Sequence, residues 1–254
     1  MIFGLPHGAL DPLVARAAGR WRTQRELVEH LLAYVGLAAA VVIAWLALPL
    51  PVLAAFLLLS VWHFSGDWPK LPDGRQAKAF HRLALGWVVV ASPLLFHPER
   101  VTELFSVLTG RPQDDAMQAA LVAVLGWLSL PALAVVSVNI LRGLRRDIQG
   151  SLELASLPLL AWLLPPLLYF LFYFCFLHSP RHLLGLAADA RIREHRWFWL
   201  ALVGLTLAAV CLLMTGYALI DGRPSERVIQ VVFIGLAALT VPHMILVERF
   251  ERSR

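Results

Sequence analysis

The stretch 152-LELASLPLLAWLLPPLLYFLFYFCFLHSPRHLLG-185 carries one charged side chain, Glu153, before Arg181, and it ends on two histidines four residues apart. Read as one helix, residues 152–177 would extend about 39 Å at 1.5 Å per residue, longer than the roughly 30 Å hydrocarbon core of a bilayer. Pro165-Pro166 interrupts it, because proline offers no N–H to the preceding turn and crowds its carbonyl. The segment is therefore expected to be broken or re-entrant. If its spanning part starts near Pro165 and runs to about Asp189, His178 and His182 fall close to the membrane midplane. Pro180 lies between them and is expected to kink the helix there, leaving a freed carbonyl and the Ser179 hydroxyl beside the pair.

The rest of the chain agrees with a membrane setting. Of 254 residues, 59% are hydrophobic and 15% charged, and the mean hydropathy is +0.70, more apolar surface than a soluble domain can bury. Apolar windows at 27–48, 50–66, 83–97, 117–141, 152–177, 197–219 and 228–247 predict about seven spanning helices. Their runs lack period-2 alternation, which excludes an outer-membrane barrel and leaves an all-α polytopic helical bundle. No internal repeat or long linker appears, so residues 1–254 read as a single integral-membrane domain.

The net charge of +5 comes mostly from arginines flanking the spans, where basic residues orient a membrane chain, and implies no nucleic acid. By that rule the loops at 16–25, 70–82 and 142–153 are expected in the cytoplasm and the loop 99–116 outside. Cys175 and Cys211 lie inside apolar segments and read as packing residues. No cleavable signal precedes the first span.

Nine histidines remain to be placed. His81, His97 and His195 stand beside charges at helix ends, and His30 follows Glu26 at the start of a span, so all four read as interfacial. His178 and His182 are different. Positions i and i+4 share one helix face about 6 Å apart along the axis, a spacing suited either to gripping one metal ion or to two separately bonded core imidazoles. His63 in "SVWHFSGDW" and His7 in "GLPHGALD" are each weak signals alone. Together the four would make an all-imidazole site suited to iron, copper or zinc. Asp11 and Asp67 each follow one of these histidines by one turn, where a carboxylate either takes a ligand's second ring N–H or stays solvated. Trp62, Tyr169, Tyr173 and Phe176 are candidates to line an apolar tunnel, with packing or lipid-facing positions as the alternative.

"GLPHGALD", "WHF" and "FLHSPRH", in that order, resemble the Brp/Blh family of bacterial and archaeal membrane β-carotene oxygenases, along nearly the whole chain. The resemblance implies an Fe(2+)-dependent cleavage of the central double bond of β-carotene by O2, giving two all-trans-retinal, with His7, His63, His178 and His182 as the iron ligands. It further implies a multi-pass protein of the bacterial cytoplasmic membrane whose retinal passes to a microbial rhodopsin. "TVPHM", with His243, resembles a recurrent C-terminal stretch of that family and places His243 behind the ligands or in packing. Members carry an apolar helix running into the "PHGALD" stretch, whereas Met1–Pro6 alone precede His7 here, so an eighth helix is expected if an upstream one is missing.

Rival chemistries fit less well. A membrane di-iron desaturase needs about twice as many histidines in several boxes. A zinc intramembrane protease wants glutamate after the first histidine of the pair, where Ser179 stands. A transporter or haem-binding bundle, using the histidines as a proton relay or axial ligands, is the alternative from another class.

Overall fold

A computed structural model describes residues 8–68, 75–143 and 147–252. Among the described residues there are helices and no strand. In chain order these are α1 (Asp11–Ala17), α2 (Gln24–Ala47), α3 (Pro49–Phe64), a 3₁₀ turn (Ser65–Asp67), α4 (Arg75–Phe96), α5 (Pro98–Thr109), α6 (Ala116–Trp127), α7 (Ser129–Gly143), α8 (Ile148–Leu163), α9 (Pro166–Phe172), a π-helical turn (Tyr173–His178), α10 (Ser179–Ala187), α11 (Ala190–Arg193), α12 (Phe198–Leu219) and α13 (Pro224–Arg252).

Local chemistry sets many of these boundaries. At the start of α2, Thr23 accepts the Glu26 amide while Glu26 accepts the Arg22 and Thr23 amides, a reciprocal capping box. Asp115 caps α6 by accepting the Gln118 amide at 2.9 Å, and Asp147 caps α8 by accepting that of Gly150 at 2.9 Å. α8 stops before Pro165-Pro166 and α9 begins on the second proline, where a missing N–H costs nothing.

Among the described residues, six helical stretches are long and apolar enough to cross a membrane: Gln24–Ala47, Pro49–Asp67, Ala79–Phe96, Ala116–Gly143, Phe198–Leu219 and Pro224–Ile245. The protein is a multi-pass helical membrane protein. Six of the seven apolar windows correspond to these stretches; the seventh, 152–177, is divided between the shorter apolar α8 and the α9–π–α10 run. The break falls at the proline pair, as expected. The connection 99–116, read from its charges as a loop, is mostly α5. Pro98 starts that helix, Gly110 ends it in the left-handed region at φ 68°, and Val101, Phe105 and Leu108 recur at helical spacing on its buried side.

The chain packs as two compact units, one of residues Met1–Val52 with Phe174–Arg254, the other of Leu53–Tyr173. In the first, α13 packs on α2 and α1, and Leu10, Leu13 and Val14 of the α1 region form a core with Leu186, Ile192 and Phe198. In the second, α4 is the central element, packed on α6, α7, α8 and the 3₁₀ turn. Leu85, Val88 and Ser92 of α4, Val136 of α7 and Leu157 and Ala161 of α8 are fully buried there. α4 approaches the end of α3 closely enough that only glycine fits at position 86: a Cβ there would lie 2.0 Å from the Val61 carbonyl oxygen. Small residues at such crossings let membrane helices pack backbone to backbone.

Candidate functional site

His178 closes the π-helical turn and His182 lies one turn into α10. Pro180 falls in the first turn of α10. The helix accommodates the proline by changing its hydrogen-bond period just before it, so the expected kink takes the form of a π-to-α junction. The two imidazoles face the same side, with centroids 6.5 Å apart and planes 11° from parallel. His178 is buried, Phe174 stacks on it at 5.7 Å, and Ser179 is fully buried beside it.

In the same unit a second group forms around Asp11, in the first turn of α1. Its Oδ1 lies 2.8 Å from Nδ1 of His243 in α13, and its Oδ2 lies 3.0 Å from that nitrogen. The Tyr34 hydroxyl of α2 donates to Oδ2 at 2.7 Å. The His243 ring stands 5.0 Å from that of His182, with planes 75° apart. The sequence leaves Asp11 either behind a ligand histidine or solvated; it is buried, its described partners are His243 and Tyr34, and His7 lies outside the described residues. Sequence reasoning missed Tyr34 altogether. The available signal was an acid and a histidine within apolar helices, since such groups must find each other or a bonded neighbour.

The second unit holds His63 in the last turn of α3, its ring 5.4 Å from that of Phe64. The 3₁₀ turn that follows delivers Asp67, whose carboxylate accepts the Tyr173 hydroxyl. Tyr173 is 1% exposed, in edge contact with Phe64 at 5.1 Å and stacked near Trp68 at 6.4 Å. The Trp68 indole donates to Glu153 at 3.1 Å. Asp67, one turn after His63, is thus tied to the aromatic run of the opening stretch. Of the tunnel candidates, Tyr169 and Tyr173 are buried, while Trp62 and Phe176 are 55% and 62% exposed on the apolar surface of their helices. His97 is half-buried, with Nε2 3.1 Å from the Trp162 carbonyl oxygen, as suits a helix-end residue.

Among the described residues no three His, Cys, Asp or Glu side chains are grouped as a metal site. The donor chemistry nevertheless fits iron(II). Two imidazoles share a face in a largely apolar interior, and a third imidazole beside them has its Nδ1 engaged by a carboxylate, the arrangement that commonly accompanies metal-bound histidine.

Comparison with known proteins agrees with the motif order. The family model described as β-carotene 15,15'-dioxygenase matches residues 1–251. A protein named β-carotene 15,15'-dioxygenase, from uncultured marine bacterium 66A03, is 36% identical over 98% of this chain and 90% of its own length. One named probable β-carotene 15,15'-dioxygenase Blh, from Halobacterium salinarum, is 28% identical over 99% of this chain and 82% of its own. No solved structure matches. A family model that spans nearly every residue, and a relative aligned end to end, leave one assignment: the chain belongs to the β-carotene 15,15'-dioxygenase family.

Proposed function

We propose that this protein cleaves the central double bond of β-carotene with O2 to give two all-trans-retinal, at an iron(II) ion that His7, His63, His178 and His182 would hold. The observation that carries the reading is the near-parallel His178–His182 pair at the end of the aromatic run, with His178 buried, in a chain whose relatives are named for this reaction. Bound iron(II) supplies the activation of O2.

The chain's own residues do the remaining work. Each imidazole binds metal as the neutral base through one ring nitrogen. Phe174, stacked on His178, covers that ring against water. The helices expose apolar faces to lipid, so a hydrocarbon that partitions into the bilayer reaches the interior laterally. In this reading Tyr169 and Tyr173, both buried, would wall an apolar passage, and a fixed passage would set which double bond is cut. The setting that fits is the bacterial cytoplasmic membrane, with retinal passed on to a microbial rhodopsin apoprotein.

Expression in bacteria that accumulate β-carotene tests the reading. Aerated cells are expected to bleach, with about two retinals formed per carotene lost and no unequal pair of apocarotenals, because a symmetrical cut yields one product twice. Exclusion of oxygen should stop the loss. Persistent β-carotene in aerated cells that contain inserted, iron-loaded protein would overturn the proposal.

A further inference from the structure

The pair Asp11–His243 lies outside the four-histidine set, yet it is as deeply buried as His178. Asp11 is 2% exposed and His243 3%. A carboxylate in an apolar bundle is costly unless its charge is matched and its oxygens are bonded. The oxygens are bonded here. Oδ1 and Oδ2 lie 2.8 and 3.0 Å from His243 Nδ1, and the Tyr34 hydroxyl donates to Oδ2 at 2.7 Å. Nδ1 is thus held against both carboxylate oxygens, which fixes the rotation of the ring. Gly8 adjoins this group: a Cβ there would touch Asp11 Oδ2 at 3.5 Å and the Tyr34 hydroxyl at 3.9 Å. α1, α2 and α13 each contribute one member, so the His243 ring is held from two other helices. That ring meets the His182 ring at 5.0 Å with planes 75° apart.

We infer that Tyr34, Asp11 and His243 form a relay that fixes the plane of the His182 imidazole, which makes them positioning residues for the metal that the His178–His182 pair would bind. The inference rests on the metal reading proposed above. Asp11 holds His243, Tyr34 holds Asp11, and His243 limits the swing of His182 about its side-chain bonds. A ligand held this way keeps one nitrogen aimed where the metal sits. Partners behind a metal-bound histidine are typically worth 10–100-fold in metal affinity.

Cobalt(II) loaded onto the purified full-length chain provides the test, since its visible absorption reports the donor geometry directly and needs no turnover. Asp11→Asn and His243→Gln are each expected to bind cobalt about 10–100-fold more weakly and to shift its visible bands. Tyr34→Phe removes one hydrogen bond and should shift the same bands by less; it carries the test if the other variants fail to fold. Gly204→Ala, on the exposed face of α12, should match the unaltered protein. Folded variants with unchanged cobalt affinity and bands, even if less heat-stable, would overturn the relay and leave Asp11–His243 as an anchor between α1 and α13. An unaltered protein that binds no cobalt would overturn the metal reading and the relay with it.

Discussion

Gly86→Ala puts the packing of the second unit to a direct test. The added methyl group would lie 2.0 Å from the Val61 carbonyl oxygen, 3.0 Å from its carbon and 3.1 Å from the Ser65 nitrogen. Side-chain carbons do not approach backbone oxygen closer than 3.0 Å, so α4 and the end of α3 must separate by at least 3.0 − 2.0 = 1.0 Å along that contact. The obstacle is backbone and cannot rotate aside. Overpacking of this kind costs about 1–3 kcal/mol, and the upper end applies because two helices must move. For a chain of this length, about 3 kcal/mol lowers the unfolding midpoint by roughly 6–12 °C. The displaced segment, 61–65, carries His63, and a shift of about 1 Å in a reacting group can cost around 10²-fold in rate. Thermal unfolding in detergent and β-carotene turnover on one preparation measure both effects. Gly204→Ala is the matched control: nothing lies within 4 Å of its added carbon, so it should gain up to about 1 kcal/mol of helix propensity and keep full activity. A Gly86→Ala protein with the original midpoint and turnover would refute the close-approach argument.

His178→Ala and His182→Ala are expected to abolish turnover and lower bound iron, because a metal that loses one of four ligands loses affinity and geometry together; His97→Ala, whose ring reaches only the Trp162 carbonyl, should do neither, and metal analysis alongside turnover decides. The Asp115 carboxyl, at the α6 cap between spans, is held below its ordinary value, first by the Gln118 amide it accepts and then by Arg111. A folded value below the unfolded one means that the cap stabilises above the ordinary carboxylate range and fades as pH falls from that range through the lowered folded value; the protection factors of the amides in the first turn of α6, taken against the intrinsic exchange rate at each pH, should therefore fall below about pH 4 in the unaltered protein, and an Asp115→Ala variant that shows the same acid response would contradict this.

Hydropathy made the helices legible because it is a local property: each apolar window is read from its own residues, and Pro165-Pro166 marks its own break. Two features were not readable that way. The contact of Asp11 with His243 joins residues 232 apart in sequence, and no periodicity encodes which helix a buried acid will face. The π-helical turn depends on a shift of backbone bonding just ahead of Pro180, to which hydropathy is blind, since the same residues would be apolar in an α-helix. The charges at 99–116, six among eighteen residues, suggested a loop. Their spacing, with Val101, Phe105 and Leu108 on one side, was the better guide to α5. The HxxxH spacing did foretell the shared face of His178 and His182.

The wide turn at Tyr173–His178 also constrains how this segment can change in length. An α-helix advances about 100° per residue, and a turn bonded five residues back holds more residues per revolution. Deleting one residue from 173–178, so that the turn tightens to α, would therefore leave the side chains before it close to their present directions, because the wide turn carries the extra residue. The same deletion within the α-helical stretch Pro166–Phe172 has no such slack and would turn every side chain before the cut by about 100°. The wide turn is thus a length buffer: a residue can be lost there with the helix phase kept, whereas a single insertion or deletion in α9 reassigns every side chain upstream to a new direction.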